Sequence, residues 1–371
     1  LGMAKGLFFA LLAMFVGARS LLAGEVLGET VTGAVDLKRI DTIRFAESGI
    51  LLIADGRGAC IYAVATGDTE PVAGEFASDP DFLGTLAGRL GVAKGEVELI
   101  DLEVNPASRK LYLAVRNQKS GEHLIVTRDP SGELALLSLA QVDHALLPLP
   151  RGEEAPVSKI TDMVWIDGRL VAAARCNEEF ASKIYLLEGP LDHEKTGRMH
   201  GAETYHVSHR RWETKAPMNV MIPHEEDGEH YIVGAFSCTP VVKYPIDAIQ
   251  PGARIKGVSM IELGSGNRPL DMMGYEKDGE ARVLTNTFRF HHEKRPYGPS
   301  PHLAFRFDRD LLGGNDAVNE DATRRLDGRQ PATDRITIAE SFHGVQRAAP
   351  IDGDRAVALR ESGELTALPL P

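Results

Sequence analysis

The chain has 371 residues, a formal net charge of −12 and a sequence pI near 5.5. At 43% hydrophobic residues, that length can bury a large core. The acidic balance argues against a nucleic-acid partner, because phosphate-backbone binders present a basic face. Three cysteines, Cys60, Cys176 and Cys238, are too few for a disulfide framework.

Near the start, Lys5 precedes the apolar run Gly6–Gly17, and small residues follow at Ala18 and Ala23. A short positive region, an apolar stretch and a small-residue cleavage site form the pattern of a secretory signal. Residues 1–23 are therefore expected to be a signal peptide. Residues 24–371 are expected to be a single exported domain, periplasmic or extracellular. The run is too short to cross a bilayer comfortably, so no transmembrane span is expected in the mature chain.

From residue 41 the chain rewrites one stretch. IDTIRF holds Asp41, IDLEVNP Asp101, ITDMVW Asp162, MNVMIP Asn219, LDMMGY Asp271 and VQRAAP Gln346, spaced roughly 50 to 75 residues apart. Each copy opens a series of short apolar runs separated by turn residues such as Ser131-Gly132, Asp167-Gly168 and Asp227-Gly228. One such sheet cannot bury both faces alone, so neighbours must stack into a ring. The expected fold is all-β, a six-bladed β-propeller, with seven blades as the alternative if an insertion hides strands.

The first unit reads IRFA, ILLIAD, CIYAVA and TEPVAGEF. A short helical insertion is expected at 79–98, where Phe82, Leu83, Leu86 and Leu90 follow the start signal Asp79-Pro80. The second unit reads LIDLEV, KLYLAV, HLIVTRD and ELALLSL, and the next three follow the same plan. The fifth carries loop insertions at 287–302 and 310–334. The sixth, VQRAAP, RAVALR and ELTALPLP, has only three strands. VTGAVDLK, Val31–Lys38, is expected to complete it and close the ring without an open edge.

In a radial meander, the start of the first strand lies beside the end of the second. The repeated polar residues and the second-strand ends should therefore surround one mouth of the central channel. Asp41, Asp101, Asp162, Asn219 and Asp271 offer the carboxylate and amide oxygens that calcium takes. Equally, each Asp could tie its blade together by accepting backbone N–H bonds, or pair with a ring of arginines. At the second-strand ends, Arg116 and Arg175 are placed to orient an anionic group. Asn177, Asn286 and Arg289 stand beside them, and Trp212 offers a stacking surface. A second candidate metal site, for copper or zinc, combines Cys176 and Cys238 with His291, His292 and His302. The alternative there is a solvated lid loop with a Cys176–Cys238 disulfide or two unlinked thiols. No linear catalytic motif of the G-x-S-x-G, H-E-x-x-H, P-loop or Rossmann type is present.

The acidic ring and its spacing resemble secreted propellers of the gluconolactonase and paraoxonase kind. That resemblance implies a calcium ion in the central channel and hydrolysis of lactones or organophosphates. CNEEFASKIY, SCTPVVKYPI and GNRPLDMM also resemble segments of exported bacterial propeller proteins with no established function, which implies fold and export only. The expected function is binding of a cation or a small polar or anionic ligand in a channel pocket. One alternative is a calcium-dependent hydrolase of lactone, ester or phosphoester substrates. Another is an interaction scaffold for a partner protein.

Overall fold

The computed structural model describes residues 26–150, 157–176, 182–206, 210–213, 216–237, 240–249, 254–263, 266–294, 296–314 and 335–371. The expected signal peptide, Asn177, Cys238 and most of the 310–334 insertion lie outside these residues.

A short strand β1 (Val31–Gly33) precedes the first meander, β2 (Thr42–Phe45), β3 (Ile50–Asp55) and β4 (Cys60–Ala65). Helix α1 (Phe82–Leu90) follows, as the apolar spacing predicted. It ends where Gly91 turns left-handed (φ +68°), a conformation open to a residue without Cβ. The second meander is β5 (Val97–Val104), β6 (Leu111–Asn117), β7 (His123–Arg128) and β8 (Leu134–Leu136), followed by the single strand β9 (Val142–Pro148). The third is β10 (Val157–Ile166), β11 (Arg169–Cys176), β12 (Ser182–Glu188) and β13 (Arg198–His206), with β14 (Arg211–Glu213) on its edge. The fourth is β15 (Met218–Glu226), β16 (Glu229–Phe236), β17 (Pro240–Pro245) and β18 (Arg254–Glu262). The fifth is β19 (Asn267–Lys277), β20 (Glu280–Arg289), β21 (His302–Asp308) and β22 (Ile336–Ile338). The sixth is β23 (Val345–Pro350), β24 (Arg355–Arg360) and β25 (Leu365–Pro369). Because β20 runs to Arg289, the insertion expected at 287–302 shortens to the connection between β20 and β21.

The first strands pack side by side in the cyclic order β5, β2, β10, β15, β19, β23 and back to β5. This is a propeller, with apolar side chains of facing sheets interleaved between blades. Leu52 and Ala54 of the first meander meet Ile160, Met163 and Ala172 of the third, for example. The order departs from the chain: the second meander sits before the first, between it and the sixth.

That displacement explains two corrections. The fourth strand of the first sheet is β9, which returns after the second meander to pair with β4 (Ile61↔Leu147, Ala63↔Ala145). The expected strand TEPVAGEF is irregular; Pro71 has no N–H for a ladder, and Gly74 has φ +138°. Val31–Lys38 does not complete the sixth blade either. Its strand β1 adds outside β9 through Val31↔His144 and Gly33↔Val142. The open edge of β25 is covered instead by the segment that leads into α1. Asp79 and Leu365 exchange both backbone bonds at 2.8 and 2.9 Å. Phe82 and Leu86 then bury completely against Leu102, Leu113, Val357 and Leu365 of the second and sixth sheets. Covering an edge with a helix is another way to stop strand-on-strand association.

One further join lies on the outside. The outermost strands β13 and β18 of the third and fourth meanders pair in parallel, from Gly201↔Arg254 to Thr204↔Gly257. Gly257 is required at this join: a Cβ there would fall 2.3 to 2.6 Å from Val242 and Tyr244 side-chain atoms.

Candidate functional site

The channel mouth is built where the first strands break their ladders. Register shifts fall between Leu99 and Asp101, Ile160 and Asp162, Met218 and Val220, Pro269 and Asp271, and Val345 and Arg347. A bulge adds one residue and re-aims the side chains beside it. The six-membered polar ladder is therefore out of step by one. Asp101, Asp162 and Asp271 follow the bulge, whereas Asn219 and Gln346 are the bulged residues. The true equivalents on β15 and β23 are Val220 and Arg347.

Asp101, Asp162 and Asp271 act as latches between neighbouring blades. Asp101 accepts from the Ile43 N–H at 3.0 Å and from the Thr42 hydroxyl at 2.5 Å. Asp162 accepts from the Met221 N–H at 2.7 Å, and Asp271 from the Ala348 N–H at 3.0 Å. Asp41 reaches the Ile160 N–H at 2.9 Å as well as Gly56 of its own blade at 3.1 Å. Every one of these long-range bonds runs to the next blade in the same rotational sense. Asn219 differs, donating to the Ser237 hydroxyl at 2.7 Å. These oxygens accept from donors, as the backbone-tying alternative expects. No group of three or more His, Cys, Asp or Glu side chains placed to hold a metal occurs among the described residues.

Arg44, at the second-last position of β2, plugs the channel. One guanidinium nitrogen lies 3.0 Å from Asp101 and 3.4 Å from Glu103, and the other lies 2.8 Å from Asp162. Burial opposes its charge, but Asp162, Asp101 and Glu103 outweigh that effect and hold the guanidinium above its ordinary pKa. Burial pushes Asp162 up to about 6 despite Arg44. Asp101, equally buried, is held below the usual carboxylate range by Arg44 and Arg347. Glu103 is pushed up to about 8, by burial first and then by the neighbouring carboxylates.

The plug separates two cavities that both touch Arg44. On the side of the first-strand starts lies a cavity of about 290 Å³, whose lining includes Lys159, Arg175, Asn219, Ser237, Arg268 and Arg347. On the far side lies one of about 370 Å³, walled by Phe45, Glu103, Trp165, Pro223, Arg309 and Pro350 among others. The first is strongly cationic. Its two carboxylates, Asp41 and Asp101, are already bonded to Arg39 and Arg44. Lys159, Arg175 and Arg268 are exposed and have no carboxylate partner among the described residues. Lys159 and Arg175 are direct cross-strand partners on β10 and β11. Like charges opposite one another weaken a sheet, so this pair is a local cost of the fold. Burial and the nearby Arg347 lower the pKa of Arg268, whose guanidinium lies 5.5 and 5.7 Å from the Phe288 and Phe290 ring centres.

Of the residues expected around one mouth, Asp41, Asp101, Asn219 and Arg175 line the first cavity, whereas Asp271 lines the second. Arg116 is set aside in a flanking cavity of about 470 Å³ with Lys38, Arg39 and Arg57, and lies 3.6 Å from Glu98. Arg289 stacks on Tyr297 at 3.6 Å and bonds Asn267. Asn286 is buried within the fifth sheet. Trp212 packs at the edge of the third sheet against Tyr205, with Lys256 over its ring, and does not line the mouth. His302 bonds Glu361 at 3.0 Å, His291 is exposed, and Cys176 is buried in the core between the first and third sheets. Arg44, Lys159, Arg268 and Arg347 are not among the residues expected from sequence. Arg44 stands three residues after Asp41, Lys159 and Arg268 three before Asp162 and Asp271, and Arg347 directly after Gln346, so a cation within three residues of a repeated polar position was the available signal.

No known protein family matches the chain, and no curated protein is similar to it in sequence. Among solved structures it is similar to a GH43 β-1,3-galactosidase with galactodeoxynojirimycin. The identity there is 10%, over 91% of this chain and 95% of that one, with a TM-score of 0.37. A streptogramin B lyase structure gives 10% identity over 92% and 97%, with a TM-score of 0.32. A crystal structure of the mitotic checkpoint complex gives 7% over 100% and 98%, at 0.37. Likeness at this level bears on neither substrate nor partner.

Proposed function

We propose that this chain is a six-bladed, exported propeller that binds a small anionic ligand at the channel mouth, on the side of the first-strand starts. The observation that carries this reading is the convergence of Lys159, Arg175 and Arg268 on one cavity where the nearby carboxylates are committed elsewhere. Arg347 adds a fourth cation, partly neutralised by Asp271 at 3.3 Å. A concentration of positive charge in a chain of net charge −12 draws anions locally, and low-dielectric walls strengthen the field. A calcium-dependent hydrolase would need the same carboxylate oxygens that already accept N–H and guanidinium donors. The anion reading therefore takes precedence.

The test is calorimetric titration of the purified chain with small carboxylates, sulfate and phosphate at low and high ionic strength. Saturable binding that weakens with salt, and that drops about tenfold or more in Arg175→Ala or Arg268→Ala, supports the reading. No binding to any of these anions would refute it.

A further inference from the structure

We propose that the ligand of this mouth carries two separated anionic groups joined by a neutral middle, as a short aliphatic dicarboxylate does. This rests on the reading of the mouth as an anion site and adds the class of ligand.

The cations are not spread evenly. Lys159 and Arg175 stand together on the third blade, paired across β10 and β11. Arg347 is on β23 of the sixth blade, and in the cyclic order β5, β2, β10, β15, β19, β23 that strand lies three steps from β10 in either direction. The two groups therefore face one another across the channel. Arg268, on β19 of the neighbouring fifth blade, joins Arg347: each touches the same cavity, and the charge of Arg347 is felt by Arg268. On the side of the fourth and fifth blades the wall between the two cationic groups is uncharged, whereas on the side of the first and second blades Asp41 and Asp101 line it, each already paired with an arginine. The fourth blade supplies Pro217 and the internally bonded pair Asn219–Ser237, and the fifth supplies Pro269 and Leu270. The floor is Arg44, whose guanidinium is held by three carboxylates.

A compact single anion reaches only one of the two groups and leaves the other, either the Lys159/Arg175 pair or Arg268 beside the partly neutralised Arg347, without an anionic partner of its own. A molecule with a charge at each end satisfies both. The cavity of about 290 Å³ suits a molecule of a few carbon atoms, at the small end of ligand pockets. The like-charge pair Lys159/Arg175, unfavourable in the empty sheet, becomes a clamp when one carboxylate bridges it.

The experiment is calorimetric titration of the whole folded chain with malonate, succinate, glutarate and adipate, set against acetate and butyrate, at low ionic strength. At least one dicarboxylate is expected to bind about thirtyfold or more tighter than either monocarboxylate. Arg175→Gln on one side and Arg268→Gln on the other should each reduce that dicarboxylate to monocarboxylate-like affinity. Lys159→Gln serves for the first side if Arg175→Gln does not fold by circular dichroism. If monocarboxylates or sulfate bind as well as every dicarboxylate, the two-ended ligand is wrong while the anion site stands. If only one side's variants matter, the same conclusion follows. If none of these anions binds, both readings fall.

Discussion

Arg44 of the first blade lies 2.8 Å from Asp162 of the third, and its other terminal nitrogen lies 3.0 Å from Asp101 of the second. Because the ring places the first blade between those two, a single guanidinium ties three consecutive blades around the channel. Asp162 is fully buried, so the pair is protected from water and salt.

Removing one partner of such a pair leaves a buried charge uncompensated. Arg44→Met is expected to destabilise the fold by about 3–5 kcal/mol. The double variant Arg44→Met/Asp162→Asn should recover part of that loss, because the orphaned carboxylate is gone. Urea denaturation of the two single variants and the double variant measures the coupling. Additive losses would mean that Arg44 and Asp162 do not depend on one another.

The channel carboxyls also set a pH dependence. Glu103 is pushed up to about 8 and Asp162 to about 6, above their ordinary values of 4.5 and 3.8. A group whose folded pKa is raised stabilises fully below its unfolded pKa, and that contribution is lost as pH rises through the folded value. Stability from Glu103 is therefore expected to fall between about pH 4.5 and 8, and that from Asp162 between about 3.8 and 6. Asp101, shifted downward, acts in the opposite sense and loses its contribution in acid. Between pH 6.5 and 8 Glu103 dominates this set. Melting temperatures followed across that window should decline in the parent chain and flatten in Glu103→Gln. An equal slope in both would place the titration elsewhere.

Lys159 and Arg175 should show opposed effects on stability and binding. Arg175→Ala relieves a like-charge cross-strand pair and is expected to raise stability by about 0.2–1 kcal/mol in the unliganded chain. The same change should weaken anion binding. Urea unfolding and anion titration of the one variant read both quantities. A loss of stability would show that the arginine is held by favourable contacts instead of repelled.

Ring closure depends on α1. Phe82 is fully buried between the second and sixth sheets, so Phe82→Ala is expected to cost about 3–5 kcal/mol. Amide exchange in β25 should accelerate more than in β16, which lies on the far side of the ring. Uniform acceleration would mean that α1 supports the whole fold equally.

The blades were legible in the sequence because their determinants are local. ILLIAD, KLYLAV and RAVALR each pack apolar side chains on both faces of a buried strand, and Asp-Gly and Ser-Gly turns end the runs at short range. The mouth followed from the meander itself, since an antiparallel hairpin must bring the start of one strand beside the end of the next. What depended on distant pairing was decided only in three dimensions. Nothing in VDHALLP says that it returns to β4 across an entire intervening meander, and nothing in Val31–Lys38 distinguishes an outer strand of the first blade from a closing strand of the last. The bulges shifted Asn219 and Gln346 out of step by a single residue, which a repeat aligned by eye cannot register. The inter-blade bonds of the acidic ring are tertiary in the same way: a carboxylate at a strand start gives no sign of its partner, and only the packing of the blades places the N–H groups of Ile43, Met221 and Ala348 within bonding distance. Sequence supplied the charges at the mouth, and blade order brought Lys159 and Arg175 to face Arg347 across it, because the positions of side chains from separate blades are set by how the sheets pack and not by their spacing along the chain.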